Sequence, residues 1–151
     1  MPGYPPVEEL LPHAPPMVLL DAVEEVEELR CRCRVDVRSG APFVGEDGVP
    51  AFVGVEYLAQ AVGVLSGWCA RLSEKTPHLG FLLSVREYAS EVATFPIGTA
   101  LLVEVDHVWG DGDMMRFDGR LRDAANGQIL AQGGLNVFAP GNPDSYLKGS
   151  A

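Results

Sequence analysis

From Leu29 to Arg38 apolar and polar residues alternate almost without fault. Cys31, Cys33, Val35 and Val37 take one face, and Arg30, Arg32, Arg34, Asp36 and Arg38 the other. A period of two marks a strand with one face in a core and one in water. The run Ala51–Ala70, AFVGVEYLAQAVGVLSGWCA, is apolar nearly all round. It predicts a long buried helix from Ala51 or Phe52 to about Ser73, ended by Thr76-Pro77-His78-Leu79-Gly80. Before these, Val7–Leu11 reads as a short helix. Pro5 and Pro6 suit its first turn, Glu8 and Glu9 its positive end, and Pro12, Pro15 and Pro16 stop it. Met17–Glu25 is apolar enough for a first strand, and Ser39–Pro50 reads as a loop. Phe81–Val92 is a less regular apolar run that reads as another strand. Thr99–Trp109 is strongly β-prone. Asp111-Gly112 and Asn126-Gly127 are hairpin signals before strands at Met114–Arg122 and Gln128–Phe138.

The order is thus a short helix, two strands, one long apolar helix, then three or four antiparallel strands. A single very apolar helix has to be covered, and a curved antiparallel sheet can wrap it. The expected fold class is α+β, the sheet wrapped around a central helix. One domain is expected over residues 1–140, followed by a loose tail over 141–151.

Composition removes several function classes. The 151 residues carry 11 basic and 21 acidic side chains, a net charge of −10. Such a chain is a poor partner for nucleic acid or an anionic bilayer. The start, MPGYPPVEELLPH, lacks a basic n-region and an apolar h-region, so no secretory signal is expected. Ala51–Ala70 is long enough to cross a membrane, but Glu56 and Gln60 lie within it, and a charge inside a span is costly. A soluble core helix is the expectation, with no membrane span. Cys31, Cys33 and Cys69 make neither a disulfide framework nor a zinc pattern, which suits a reducing cytoplasm. GxGxxG, GxxxxGK[ST] and GxSxG are all missing, so no cofactor and no metal is expected.

Glu56 is the outstanding candidate for chemistry. Burial raises a carboxyl pKa toward general acid–base duty, and Gln60 at i+4 can orient it. The alternative places Glu56 in the helix's first turn, capping free N–H groups near solvent. His13, in the rigid turn LPHAPPM, is either a presented proton shuttle or a turn histidine bonded to backbone. His78 suits the negative end of the helix dipole. His107 shares a strand face with Val103, Val105 and Trp109 and reads as packing.

These motifs coincide with a known family. Leu10-Leu11-Pro12-His13-Ala14-Pro15-Pro16-Met17-Val18-Leu19-Leu20-Asp21 is similar to the "LLPHRYPFLLVDR" opening of the hotdog-fold β-hydroxyacyl-thioester dehydratases. Pro50–Ala61 resembles their "PGxxxxEAxAQ" helix entrance, and Phe95-Pro96-Ile97-Gly98-Thr99 their "xPGD" turn. The likeness runs from about Val7 to Phe138. It is strongest to the divergent ApeP-like branch, which shows "LPHxPPM", "PAWxxxELxAQ", a Gly-Trp pair as at Gly67-Trp68, and "LNVF" as at Leu135–Phe138. The main family carries a catalytic His in "GHFPG", fourteen residues before its acid. That position here is Pro42, in Ala41-Pro42-Phe43-Val44-Gly45.

The resemblance implies a hotdog fold and dehydration of 3-hydroxyacyl thioesters to trans-2-enoyl thioesters on acyl carrier protein, in fatty-acid or aryl-polyene-type biosynthesis. Coenzyme A is the other carrier considered. It makes Glu56 the acid or base, and His13 the candidate for the role that Pro42 has lost. Helix-entrance amides at Ala51, Phe52 and Gly54 are candidate donors to the thioester oxygen, with Gly80 and Phe81 as further backbone candidates and Gln60 as a substrate contact. Two other readings remain open: a hotdog thioesterase using Glu56 alone, and a non-catalytic acyl-binding subunit of another hotdog dehydratase. The family implies a homodimer or a heterodimer with a second hotdog subunit. Arg30, Arg32, Arg34 and Arg38 form either a local docking patch for an acidic carrier or a solvated strand face.

Overall fold

The computed structural model describes residues 3–11, 17–73, 81–110 and 114–138, and only the backbone of 81–83. The elements are α1 (Val7–Leu10), β1 (Ala22–Val26), β2 (Arg30–Asp36), β3 (Gly48–Pro50), a 3-10 turn (Ala51–Val53) and α2 (Gly54–Leu72). They continue with β4 (Phe81–Ser90), β5 (Thr94–Pro96), β6 (Ala100–Trp109), β7 (Met114–Asp123) and β8 (Ile129–Phe138). Six strands form one antiparallel sheet in the order β1-β2-β6-β7-β8-β4, and β3 pairs with β5 in a separate ribbon. The sheet curves around α2, which is the hotdog architecture.

The inner face of the sheet follows the alternation in the sequence. One rung runs Cys33–Val103–Leu121–Ala131 across four strands, and all four residues are buried. Leu58 of α2 is fully buried over Gly119, whose missing side chain leaves the space that Leu58 fills. The sulfurs of Cys31 and Cys33 lie 3.6 Å apart on this inner face. Their mutual contact and burial push the Cys31 thiol far above its usual range, as befits packing rather than reactive residues.

The other side of α2 is covered by the N-terminal segment. A Cβ on Gly67 would collide with the Leu10 carbonyl oxygen, and one on Gly63 would lie 2.7 Å from a Leu11 methyl. Tyr4 closes edge-on against Trp68 at 5.3 Å between centroids. Ala51–Leu72 is long and apolar enough to cross a membrane, but 56% of its most apolar window is buried inside the fold.

Three details differ from the sequence reading. The first strand begins at Ala22, not Met17, because the Met17 carbonyl and Leu19 amide bond to Gln60 of α2 instead of to a strand. The loop Ser39–Pro50 ends in β3, which with β5 is three residues long and too short to show a period. The strand opening at Phe81 ends at Ser90, two residues short of Val92. Asn126-Gly127 does mark the β7–β8 turn, with Gly127 at φ 76 and its amide on the Asp123 carbonyl. Asp111-Gly112, Thr76–Gly80 and the tail 141–151 lie outside the described residues.

The Gly67 contact gives a test. Gly67→Ala gains helix propensity, but forces α1 off α2. A net loss of about 1–3 kcal/mol is expected from overpacking against rigid backbone, read from the urea midpoint.

Candidate functional site

The chain enters α2 from β3. Pro50 is extended, and the 3-10 turn Ala51–Val53 passes directly into Gly54. Glu56 therefore lies in the first turn of α2, where the unpaired amides favour a negative charge. It is partly exposed. Both readings of Glu56 thus hold in part: the carboxylate is at the helix start and near solvent, and it is also held.

Gln60 does the holding. Its carboxamide is 1% exposed and is the sole buried polar residue among those described. Nε2 donates to the Met17 carbonyl at 2.7 Å and to Glu56 Oε1 at 3.1 Å, and Oε1 accepts from the Leu19 amide at 2.9 Å. One acceptor facing an N–H and two donors facing oxygens fix the amide's orientation. Gln60 is thus spent on the protein, which revises its expected role as a substrate contact. It orients Glu56 and ties the N-terminal segment to α2.

The helix-entrance amides are also partly spent. Ala51 N–H donates to the Ala93 carbonyl at 2.9 Å, which corrects its assignment as a free donor. Gly54 N–H turns back to the Ala51 carbonyl, so it too is engaged. A 3-10 turn closes i+3 to i, which directs Val53 N–H toward Pro50. Phe52 N–H takes no part in the bonds that engage the Ala51 and Gly54 amides on either side of it. The Phe52 side chain is 73% exposed.

Tyr88 reaches this turn from β4. Its hydroxyl donates to the Ala51 carbonyl at 2.6 Å. Gly54 is where it is because a Cβ there would collide with that hydroxyl. Burial pushes the Tyr88 phenol up to about 12, and burial with the nearby Asp21 charge does the same for Tyr57.

Pro42 is the second residue of a turn closed by Val44 N–H to the Ala41 carbonyl at 3.1 Å. Phe43 takes the third position with φ 66, where glycine is usual after a proline. Pro42 lines a cavity of about 40 Å³ with Tyr57, Asp21 and Arg38. Among the described residues no histidine lines it. His107 is bonded to the Gly110 carbonyl at 2.6 Å and lies edge-on to Phe117, which agrees with a packing role. Phe81 begins β4 opposite Phe138. His13, His78 and Gly80 lie outside the described residues. Among the described residues no group of three His, Cys, Asp or Glu side chains could hold a metal ion.

Arg30, Arg32 and Arg34 of β2, with Arg38 just beyond it, do not make a free basic patch. Arg30 pairs with Asp106, Arg32 with Glu25, Arg34 with Asp36 and Arg38 with Asp21, at 3.0–3.4 Å. Glu104 gathers Arg120 at 2.7 Å and Arg122 at 2.8 Å, with Arg32 at 3.8 Å. Asp36 lies on the same face of β2, two residues after Arg34, whereas Glu25 comes from β1, Asp106 and Glu104 from β6, and Asp21 from the residue before β1, so the alternation in β2 reveals only the first of these pairs.

Two outcomes are expected. Gln60→Leu leaves the buried Leu19 amide and the partly covered Met17 carbonyl unpaired, for a loss on the order of 1–3 kcal/mol in denaturant unfolding. Tyr57 and Tyr88 have folded pKa values raised from 10 to about 12. Above pH 10 the unfolded chain therefore releases protons that the folded chain keeps. The stability they confer is complete below pH 10 and is lost as pH rises through 12, read as a falling urea midpoint in that window.

Comparison with known proteins gives a consistent answer. A family model described as "ApeP-like: ApeP dehydratase" matches residues 5–148. The dehydratase heterocomplex ApeI:P from Xenorhabdus doucetiae contains a chain with 33% identity and a TM-score of 0.88, covering 96% of this chain and 97% of that one. A hypothetical thioesterase with coenzyme A from Streptococcus pneumoniae TIGR4 has 11% identity and a TM-score of 0.63, covering 80% and 85%. A protein from Streptococcus mutans UA159 bound to acetyl CoA has 13% identity and a TM-score of 0.60, covering 80% and 88%. At that distance the last two share the fold alone. No curated protein matches the sequence.

Proposed function

The chain belongs to the ApeP-like dehydratase family, and on that premise we propose that it removes water from 3-hydroxyacyl thioesters carried by acyl carrier protein, within a two-subunit hotdog dehydratase. The observation that carries this reading is Glu56, at the position of the family's acid and oriented by Gln60 at 3.1 Å in the first turn of α2.

Dehydration needs three things: a base for the α-proton, an acid for the departing β-hydroxyl, and a donor for the thioester oxygen. As the Cα–H bond breaks, its electron pair forms the Cα=Cβ bond, and the hydroxyl leaves as water with a proton from the acid. Glu56 and His13 divide these two transfers. The tether supports this pairing, because the described residues on either side of His13 are both fastened to α2. Leu11 lies against Gly63, and Met17 is bonded to Gln60. Phe52 N–H is the donor for the thioester oxygen. The acyl chain lies along the apolar helix.

Two observations favour joint action with a second hotdog subunit. Pro42 replaces the histidine that the main family uses, and the similar structure from Xenorhabdus doucetiae is described as a heterocomplex. In the limiting form of this reading the chain supplies acyl binding and shape, and its partner supplies the chemistry. Its three free cysteines suit a cytoplasmic setting. The ion-paired β2 arginines argue against that face as the carrier-docking surface.

The test uses 3-hydroxyacyl and trans-2-enoyl thioesters, on carrier protein and on coenzyme A, with the chain alone and mixed with a second hotdog subunit. Glu56→Gln is expected to lower kcat by roughly 10²–10⁴-fold, and His13→Ala to lose most activity. Full activity of both variants alone and in the mixture overturns the proposed dyad. Activity of the mixture that survives both substitutions leaves the chain as a non-catalytic subunit.

A further inference from the structure

Three departures from ordinary sequence converge on Tyr88. Glu87 before it has φ 54, and the pairing of β4 with β8 slips between Arg86 and Ala89. A bulge of this kind bends its strand and re-aims a side chain. Gly133 on β8 has no room for a Cβ because Tyr88 Cα stands 2.9 Å from that spot. Gly54 on α2 has none because the Tyr88 hydroxyl stands there, with a Leu121 methyl 2.6 Å from the same spot. All three serve one hydrogen bond, from the Tyr88 hydroxyl to the Ala51 carbonyl.

That bond acts on the site. The Ala51 carbonyl and the Phe52 N–H belong to one planar peptide and point in opposite directions. Ala51 is anchored on its other side by its own N–H to the Ala93 carbonyl. With both anchors in place, the direction of Phe52 N–H is set. A hydrogen bond on the carbonyl also polarises the peptide and strengthens its N–H as a donor. A phenol is protonated, hence a donor, throughout the neutral range, and burial extends that range upward.

We propose that Tyr88 is a positioning residue for the dehydration, fixing the Ala51–Phe52 peptide so that its N–H meets the thioester oxygen. This role rests on the reading of Glu56 and the helix entrance as the reacting centre. Tyr88 acts through the peptide and does not itself touch substrate.

Tyr88→Phe keeps the ring and deletes the donor. It is assayed with a 3-hydroxyacyl carrier-protein thioester, with the chain alone and mixed with a second hotdog subunit. The expected result is a fall in kcat of about tenfold with KM changed by less than about twofold. Amide exchange over residues 50–57, followed by mass spectrometry, is expected to quicken while the rest of α2 is unchanged. Unchanged exchange at 50–57 overturns the proposal even without turnover. So does a kcat retained within about twofold, or a loss of activity that merely tracks a lower Tm. The variant Glu56→Gln separates the two levels. If it keeps full activity in the same assay, the reading of Glu56 and the helix entrance as the reacting centre falls, and the role of Tyr88 falls with it. If it is inactive while Tyr88→Phe is unaffected, only the positioning role falls.

Discussion

The structure depends on hiding one apolar helix. Nineteen residues of α2 and the three of the turn before it present apolar side chains in nearly every direction. A sheet can cover one side only. Six strands curve around α2, and the N-terminal segment closes part of what is left. Each approach is made possible by a removed side chain. Gly119 admits Leu58, Gly67 admits the Leu10 backbone, and Gly54 admits Tyr88. Close approach at these points is what lets so short a chain enclose so long a helix, since interiors leave few voids larger than a water molecule.

A helix covered this way has two polar tethers near its start, and both converge on the proposed chemistry. Gln60 joins Glu56 to the Met17–Leu19 backbone, and Tyr88 joins the Ala51 carbonyl to β4. The first tether comes from the N-terminal segment and the second from the last strand of the sheet. Glu56 thus sits where three stretches of chain far apart in sequence are bonded together. Such supporting bonds give a reacting group its fixed geometry.

Much of the fold is legible in the sequence, and the reason is periodicity. The alternation of β2 and the unbroken apolar run of α2 each report their own environment, because many consecutive residues share it. Glu56 and Gln60 are legible for a similar reason, being one helical turn apart. What escapes is long-range. Gln60 bonds Leu19 across 41 residues, and Tyr88 bonds Ala51 across 37. No local pattern encodes such a pairing. The expectation that Ala51 offers a free amide fails because Ala93 takes it, and Met17–Leu20 fails as strand because Gln60 offers better partners. Arg30, Arg32 and Arg38 mislead for the same reason, since their partner acids Asp106, Glu25 and Asp21 lie on other segments. Gly54 and Gly133 carried the one readable trace of Tyr88, as glycines inside a helix and a strand.

The last strand in the sheet order, β4, also bears on the life of the chain before it meets a partner. It is ten residues long and, among the described residues, pairs with β8 along one side only. An edge of that length is a template on which foreign strands can grow, and the first step of many aggregates is such a graft. The positive φ at Glu87 and the exposed charges of Arg86 and Glu87 interrupt that template near its middle. The kink that aims Tyr88 at the helix therefore also breaks the run of backbone on which a foreign strand would pair.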